Sequence, residues 1–471
     1  MLLLAVCCVS QAQTLTNLNS SAPDGAQVQF LLTDGTVLVQ GYQGQDWWKL
    51  TPDITGSYVN GTWTQVASLE SNYDPDAFAS QVLADGRVLI EGGEYNFGQF
   101  VLTNLGEIYD PAANTWTPLT PPPGWDYIGD SPSTMLPNEH FLIGQKITEQ
   151  VADLNPTTME WTLLSYTGKH DFNAEEGWTL MPGSNGIVLT ADVLDSPLSE
   201  HYIYTEQRWQ NDGSTIVNLM GPPEEGCIPY GGGQYCPPGE IGPAILMPNG
   251  SVFATGALAQ GAPTGYTSIY TPSSNPDESG TWTPGPDFPN GDAAGDSFAV
   301  LAPNGHVVVE GDSGELYEYN GTTFTATVNV FGNPLIVLPT GQILVGGSQV
   351  YTSSGNGLQI WAPIITNIPT SLTRGQTYRV IGRQFNGQSQ AASFGDEFET
   401  ATNYPLVRIV NNSTQHVFYA KTHNHSTLAV QTKSTPTYTY FDVPSGMETG
   451  ASTLYVVTNG IISNAVSVTV E

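Results

Sequence analysis

The sequence predicts an all-β fold, a seven-bladed β-propeller followed by an immunoglobulin-like β-sandwich. Two observations carry this prediction: one hairpin pattern occurs seven times, and the pattern changes to short alternating strands after residue 362. The clearest hairpin is residues 77–94, AFASQVLADGRVLIEGGE, in which two apolar strands join at Asp85 and Gly86 and close on a diglycine. An Asp-Gly pair favours a tight turn, and we expect positive φ at both residues.

The seven hairpins recur at a spacing that is typical of propeller blades. The distance from turn to turn is roughly 35 to 65 residues, and repeats of about 40 to 50 residues with four strands each are characteristic of propellers. Seven such units predict seven blades. The copies begin at Phe30, Gln81, Ser133, Leu180, Ala244, Ala299 and Ile336.

Most copies have a second half in which a strand containing Tyr is followed by a strand built on Trp, as at Tyr109 and Trp116. The succession of apolar strand, diglycine, Tyr and later Trp resembles the Kelch repeat. We expect these aromatic side chains to pack between blades, with a ligand platform as the alternative.

The predicted domains are a leader at 1–12, the propeller at 13–362 and a C-terminal domain at 363–471. A Kelch propeller followed by such a domain resembles the galactose oxidase and glyoxal oxidase group of secreted copper-radical enzymes. The resemblance implies copper near the propeller axis, held by two Tyr and two His. One of these His belongs to a Thr-His segment of the C-terminal domain that reaches the central opening, and Thr422-His423 corresponds to it.

The other ligands that the resemblance implies have no counterpart. The sequence contains no Tyr-His dipeptide, and Gly295 and Asp296 stand where that dipeptide is expected. Ala77 stands at the position of the other Tyr, and no Cys lies in an early blade beyond the leader. We therefore do not expect a copper-radical site.

Carboxylates occupy a common register instead. In five consecutive blades an acidic residue stands eight or nine residues before the hairpin turn. The inner strands of a propeller converge on its axis, so these residues should lie around one end of the central channel. We expect that mouth of the channel to be acidic. Clustered carboxylates raise one another's pKa unless a cation intervenes, and Ca²⁺ prefers oxygen ligands. The alternative for each carboxylate taken singly is a structural role, in which it accepts a hydrogen bond from a backbone N–H of a nearby loop. The carboxylates are Asp76, Asp130, Glu175 or Glu176, Glu240 and Asp296.

Other candidates complete the predicted site. His423 and His425 are two residues apart, and their imidazoles suit a transition metal. Asp130, Glu240 and Asp296 would complete the set of ligands. The alternative is that both histidines lie on a solvated strand and bind no metal. Trp178 and Tyr230 lie near the mouth in sequence and suit stacking on a sugar, with core packing as the alternative.

The charge balance restricts the partners. The chain has 44 Asp and Glu but only 11 Lys and Arg, a formal net charge of −33. Nucleic acids and anionic membranes require basic residues, so neither is expected as a partner.

Export is indicated by the first residues and the cysteines. MLLLAVCCVSQA has an apolar run and small residues before a cleavage point after Ala12, as in a signal peptide. Beyond it only Cys227 and Cys236 remain, and we expect a disulfide between them. The sequence thus predicts a secreted or periplasmic monomer, with no membrane insertion, that binds a carbohydrate or another cell-surface ligand. The alternative is a metal-dependent enzyme using the carboxylates and His423 with His425.

Overall fold

The computed structural model describes residues 13–42, 44–223, 227–230, 233–236, 238–330, 334–355, 357–393 and 397–471. The predicted leader at 1–12 lies outside the described residues. Within these ranges the regular structure is β-strand with short 3-10 helices at Tyr204–Glu206, Pro289–Gly291 and Gln359–Trp361, and no α-helix occurs there. In the described part of the chain, no helix has the length and apolar character needed to span a bilayer.

Seven successive antiparallel sheets share one plan, in which four strands follow one another from the inside of the molecule to the outside. Each of the seven predicted hairpins forms the first two strands of one sheet. We number the sheets 1 to 7 in chain order. Their strands are Val28–Leu31, Val37–Gln40, Trp47–Thr51 and Thr62–Gln65 in sheet 1; Ala79–Val82, Val88–Glu91, Gly106–Asp110 and Thr115–Pro118 in sheet 2; Ser133–Met135, Phe141–Gly144, Val151–Asn155 and Glu160–Leu163 in sheet 3; Thr179–Leu180, Ile187–Ala191, Leu198–Ile203 and Arg208–Ser214 in sheet 4; Ala244–Leu246, Val252–Thr255, Thr267–Thr271 and Thr281–Pro284 in sheet 5; Ala299–Leu301, Val307–Glu310, Glu315–Tyr319 and Phe324–Asn329 in sheet 6; and Leu335–Val337, Ile343–Val345, Gln349–Thr352 and Thr14–Asn17 in sheet 7.

The first strands of the seven sheets form a closed ring. Each first strand lies against the first strand of the next sheet, and that of sheet 7 lies against that of sheet 1. Sheet 7 takes its outermost strand from the N-terminal side of the chain, where Thr14 pairs with Thr352. Side chains of the first and second strands are buried almost without exception, because the ring leaves no solvent between neighbouring sheets. This is the architecture of a β-propeller.

The hairpin turns differ from the expected type. Positive φ is found at Gly86, at 87°, but not at Asp85. The Asp85 side chain instead accepts the backbone N–H of Arg87 at 3.0 Å, and Gly86 N donates to the Leu83 carbonyl. The expectation of two positive φ values was wrong, because the Asp stabilises the turn with its carboxylate while Gly alone takes the left-handed conformation.

The predicted aromatic packing is confirmed. Trp47 of sheet 1 and Trp116 of sheet 2 have ring centroids 4.8 Å apart, and Trp116 Nε1 donates to the Ala67 carbonyl, which precedes sheet 2. In the same way, Trp161 Nε1 of sheet 3 donates to the carbonyl of Thr120, which lies between sheets 2 and 3. These indole rings join neighbouring sheets, because a large ring fills the widening gap and its N–H reaches a carbonyl across it.

The C-terminal strands form a separate sheet system after residue 363. Their packing face buries Leu372, Val407, Phe441 and Leu454 in a core distinct from that of the propeller. The strands are Ile364–Asn367, Ser371–Leu372, Thr377–Arg383, Leu406–Asn411, Val417–His423, Pro436–Asp442, Gly450–Thr458, Ile461–Ile462 and Val466–Val470.

This C-terminal domain covers the side of the propeller that carries the hairpin turns. The backbone N–H of Thr422 donates to Thr33 at the turn of sheet 1, and Thr427 Oγ1 donates to Pro137 at the turn of sheet 3. Gln431 donates to the Met247 carbonyl beside the turn of sheet 5. The opposite side of the ring, where the first strands begin, is therefore the side on which the predicted carboxylates lie.

Part of the C-terminal domain, described at residues 386–393 and 397–404, lies in the space enclosed by the ring. We call it the axial segment. Ala392–Ser393 forms a short strand that pairs with the first strand of sheet 6, and the Phe398 ring packs edge-on against Phe78 before sheet 2 at 4.8 Å. The Glu399 carbonyl accepts a hydrogen bond from Ser80 in sheet 2. The axial segment thus contacts several first strands at once and fills the centre of the ring.

Candidate functional site

We define the acidic mouth as the end of the ring at which the first strands begin. A residue with positive φ stands at or beside the predicted carboxylate in five consecutive sheets, and in three of them it is not glycine. Non-glycine residues in this conformation are uncommon and concentrate at functional sites. The residues and their φ values are Ala77 at 50°, Gly129 at 82°, Glu175 at 55°, Gly239 at 120° and Asp296 at 48°.

Asp130 and Glu175 meet at the ammonium group of a buried lysine. Lys146 is fully buried, and its Nζ lies 2.5 Å from Glu175, 3.5 Å from Glu94 and in contact with Asp130. Burial alone lowers the pKa of Lys146, but the three carboxylates outweigh it and hold that pKa well above its usual value. The pKa of Asp130 is raised by burial and by Glu175, against the effect of Lys146.

This arrangement gives two of the predicted carboxylates a common partner within the protein. For Asp130 and Glu175 the protein supplies the cation itself, as Lys146. Glu94, which follows the diglycine of sheet 2, joins them and was not among the sequence candidates. One ammonium against three carboxylates leaves this group with an excess of negative charge.

Glu176 belongs to a different group. Its side chain points away from Lys146 and bonds to Lys169 Nζ at 2.7 Å, while Asp171 and Glu200 bind the same ammonium at 2.8 and 2.5 Å. Glu175 and Glu176 are adjacent in the chain, but their side chains belong to two separate clusters, around Lys146 and Lys169 respectively. The left-handed conformation of Glu175 is the local feature that directs the two side chains to different neighbours.

The axial segment brings a further carboxylate to the mouth. Glu397 is partly buried, and its pKa is raised well above the usual value, first by burial and then by Asp296, Asp76 and Asp130, with Glu94 acting in the same sense. Asp76 itself is exposed and accepts a hydrogen bond from Gln27. The mouth therefore concentrates carboxylates from sheets 2, 3 and 6 around one residue of the C-terminal domain.

Glu240 and Asp296 line an open groove beside this group. The groove has a volume of about 530 Å³, within the range of ligand-binding clefts. Asp312 adds a third carboxylate, and its pKa is raised to about 6 by burial and by Asp292, although the Gly295 N–H donates to it. The lining residues are Gly221, Pro222, Pro223, Glu240, Ala257, Leu258, Gly295, Asp296 and Asp312.

The predicted disulfide is present between Cys227 and Cys236. It closes the hairpin Ile228–Tyr230 and Gly233–Tyr235 in the connection between sheets 4 and 5. Tyr235 packs with Leu102, Ile147 and Ala174, and Phe100, Tyr127 and Phe172 lie against this small cluster. Tyr235 of the cystine hairpin is thus buried against this cluster and lies near enough to Lys146 to help raise the pKa of that lysine.

Several predicted site residues lie elsewhere. Trp178 is only 2% exposed and packs against Trp209 in the core, so it offers no surface for stacking. The side chain of Tyr230 lies outside the described residues.

His423 and His425 remain in the C-terminal domain. His425 is buried against Thr439 Oγ1 at 2.9 Å, and burial lowers its pKa to about 3; His423 lies 3.2 Å from Asp442. Strand pairing between Val417–His423 and Pro436–Asp442 keeps both residues on the turn side of the propeller. The axial segment, and not Thr422-His423, lies within the ring. Thr422 instead bonds to Thr33 at a hairpin turn, so the structure does not bring the histidines to Asp130, Glu240 or Asp296.

Sequence reasoning missed Glu94, Lys146, Lys169, Glu200 and Glu397. One available signal was the rarity of basic residues, with 11 Lys and Arg in 471 residues. A lysine only two residues after a buried strand, as Lys146 is, was therefore a candidate for a specific role. No local pattern marks Glu397, because its position depends on how the C-terminal domain docks.

The fold is similar to that of solved enzymes, although no protein-family model and no curated protein sequence matches the chain. A fungal alcohol oxidase of the AA5 family, solved in complex with copper, has 13% identity over 97% of this chain and 98% of its own, with a TM-score of 0.53. The chain therefore has a galactose-oxidase-like β fold.

Two further matches have lower TM-scores. Virginiamycin B lyase from Staphylococcus aureus has 10% identity over 72% of this chain and 98% of its own, with a TM-score of 0.48. The extracellular domain of a one-component system from B. thetaiotaomicron has 10% identity over 98% of this chain and 58% of its own, with a TM-score of 0.46.

The residues of the mouth do not fit the copper centre that this fold suggests. The resemblance implies Tyr and His ligands, whereas the described groups at the mouth are carboxylates with a lysine ammonium among them. Copper(II) in such centres requires nitrogen ligands, and hard oxygen ligands favour other ions. The axial segment carries Glu397 and contains no histidine.

Proposed function

We propose that this chain is an exported seven-bladed Kelch-type propeller with an immunoglobulin-like C-terminal domain. In this proposal its acidic mouth binds a carbohydrate or another cell-surface ligand, and the protein acts as a monomer. The closed ring of seven first strands supports the blade number, and the disulfide supports export. A single peak at the monomer mass in light scattering is the expected result for the oligomeric state.

The observation that carries the proposal is the position of Glu397. The C-terminal domain docks on one side of the propeller, and its axial segment brings Glu397 near enough to Asp296 and Asp76 for their charges to raise its pKa. Because the axial segment is packed inside the ring, it holds the Glu397 carboxylate in a fixed position. The result is a preorganised group of hydrogen-bond acceptors at the floor of an open mouth.

The surroundings of these carboxylates suit a polyhydroxyl ligand. Carboxylate oxygens accept hydrogen bonds from vicinal hydroxyl groups, and charged acceptors form the stronger bonds. Partly buried Phe100, Tyr127 and Phe172 lie beside the mouth and provide apolar ring faces for the C–H face of a sugar. The groove at Glu240 and Asp296 extends the site by about 530 Å³, enough for more than one sugar ring.

A glycan array with the mature protein tests this function, in the presence of calcium and again with a chelator. We expect at least one class of neutral or amino sugar to bind, and binding to fall by about tenfold in Glu397→Gln because one charged acceptor is lost. Glu160→Gln on the outer strand of sheet 3 is the matched control and should bind as the wild type does.

Either of two results would contradict the proposal. One is the absence of any bound glycan in both conditions with a correctly folded protein. The other is a bound glycan whose affinity is the same in the wild type, in Glu397→Gln and in Asp296→Asn, since that ligand would then occupy another surface.

A further inference from the structure

A second acidic group lies within sheet 4, away from Glu397, and we call it the sheet-4 cluster. It consists of Lys169 and four carboxylates, Asp171, Glu176, Asp192 and Glu200. All four carboxylate side chains are buried, with exposures of 6% for Asp171, 2% for Asp192 and 0% for Glu176 and Glu200. One oxygen from each of the four lies within 4.8 Å of the others.

Lys169 satisfies only part of this cluster. Its Nζ binds one oxygen each of Asp171, Glu176 and Glu200, at 2.8, 2.7 and 2.5 Å. The second oxygen of Asp171 accepts the backbone N–H groups of Leu194 and Asp195 at 3.1 and 3.4 Å. Asp171 is therefore fully engaged, and the other carboxylates are not.

Four buried oxygen atoms remain without a hydrogen-bond partner: Glu176 Oε2, Glu200 Oε2 and both carboxylate oxygens of Asp192. Asp192 is the decisive residue, since it is almost completely buried and makes no hydrogen bond through its side chain. Burying an unpaired carboxylate is costly unless a proton or a cation neutralises it. Four carboxylates and one ammonium carry a net charge of −3, which a single divalent ion would reduce to −1.

The four carboxylates are close enough together to share one ion. Calcium binds oxygen ligands at about 2.3 to 2.6 Å, so two ligands on opposite sides of one ion lie about 5 Å apart. One oxygen from each of the four carboxylates lies within 4.8 Å of the others, so the four groups converge closely enough to share one ion. The four ligands are all hard oxygens, the set that calcium prefers and that soft transition metals do not.

We propose that the sheet-4 cluster is a structural site for one hard divalent cation, Ca²⁺ in the first place. Asp192, Glu176 and Glu200 provide the otherwise unpartnered oxygens, and Lys169 holds the second oxygens of Glu176 and Glu200 in position. The ion links the end of the second strand, at Asp192, to the third strand, at Glu200, and to the entrance of the first strand, at Glu176. The site is independent of the ligand proposed for the mouth.

The first experiment measures calcium binding by the wild-type protein after treatment with a chelator. We expect one ion per chain and a rise in melting temperature that saturates below about 10 mM Ca²⁺, the weak end of extracellular calcium sites. Terbium serves as a luminescent substitute for calcium, because Trp209 lies beside the cluster, with its ring 4.8 Å from Lys169 Nζ. Excitation of tryptophan should therefore produce terbium emission that calcium abolishes by competition.

Matched variants separate this site from loose binding to an acidic surface. Asp192→Asn should raise the half-saturating calcium concentration about tenfold or more, and Glu200→Gln should do the same. Glu91→Gln is the control, since Glu91 is also fully buried with two unpartnered oxygens but lies in sheet 2 outside any cluster. Its calcium response should equal that of the wild type.

Two outcomes would overturn the proposal. In one, neither Ca²⁺ nor Mg²⁺ nor Mn²⁺ changes the melting temperature of the chelator-treated wild type, which would leave protons as the neutralising charge. In the other, folded Asp192→Asn and Glu200→Gln keep the stoichiometry and half-saturation of the wild type, which would assign the ion to another part of the surface.

Discussion

Gln390 donates a 2.8 Å hydrogen bond from its side-chain amide to Thr134 Oγ1, although the two residues are 256 positions apart in the chain. Its carbonyl oxygen accepts the backbone N–H of Leu180 at 3.3 Å. One side chain of the C-terminal domain thus joins the first strands of sheets 3 and 4 from inside the ring. The docked domain and the propeller should therefore unfold together.

Gln390→Met should lower the free energy of unfolding by about 2 to 4 kcal/mol, because it leaves two buried polar groups without partners at nearly constant side-chain volume. Urea unfolding followed by fluorescence measures the change. Gln99→Met at an exposed position is the control and should change stability by less than about 0.5 kcal/mol. Equal stabilities of the two variants would mean that water replaces the amide within the ring.

Lys146→Met should destabilise the protein by about 3 to 5 kcal/mol at pH 7, because it leaves Asp130, Glu175 and Glu94 buried without their ammonium partner. The pKa of Lys146 lies above its unfolded value, so its contribution is complete at neutral pH and is lost only as the solution becomes strongly alkaline. Chemical denaturation at pH 7 and pH 5 measures the effect.

At pH 5 the loss in Lys146→Met should be smaller than at pH 7. Burial raises the pKa of Asp130, so this carboxyl takes up a proton readily once the lysine is absent. Lys433→Met at an exposed position is the control. A loss that is the same at both pH values would show that the carboxylates find another cation.

Glu107→Gln should become more stable than the wild type as the pH rises from 5 to 8. Burial, with the nearby charge of Glu70, raises the pKa of Glu107 from 4.5 to about 7, although the Glu70 N–H donates to it. Between these values the folded state binds more protons than the unfolded state, so wild-type stability falls with increasing pH. Glu107→Gln has no ionisable group at this position, so its stability does not fall with pH for this reason.

Melting curves of the wild type and Glu107→Gln across this pH range provide the test, with exposed Glu160→Gln as the control. The difference in melting temperature should grow steadily in favour of Glu107→Gln above about pH 5. Parallel curves for all three proteins would show that Glu107 remains ionised in the fold.

Replacing Cys227 and Cys236 by Ser should cost no more than about 3 kcal/mol, because the disulfide closes a short loop. The main effect should be local. Hydrogen exchange around Tyr235 should accelerate, since the hairpin loses the link that holds this ring against Leu102 and Ile147. Exchange unchanged from the wild type would show that packing alone fixes the hairpin. The unreduced mature protein should contain no free thiol.

The sequence by itself determined the repeating hairpins, the aromatic packing between sheets, the change of pattern after residue 362 and the disulfide. Each of these depends on contacts between residues close in sequence or on a repeated pattern, so that turn residues and alternation specify them. It also indicated acidic residues at the strand entrances. In the structure Asp130 and Glu175 contact the same lysine ammonium, whereas Asp76 and Asp296 both act to raise the pKa of Glu397.

Only the tertiary structure decided which charges meet. Glu175 and Glu176 are adjacent in sequence, but left-handed backbone at Glu175 sends them to Lys146 and Lys169 respectively. The position of Glu397 depends on the docking of a whole domain and the passage of its axial segment through the ring. Burial of a charge is favourable only where partners from several strands converge, and that convergence is a property of the assembled ring that no local sequence pattern contains.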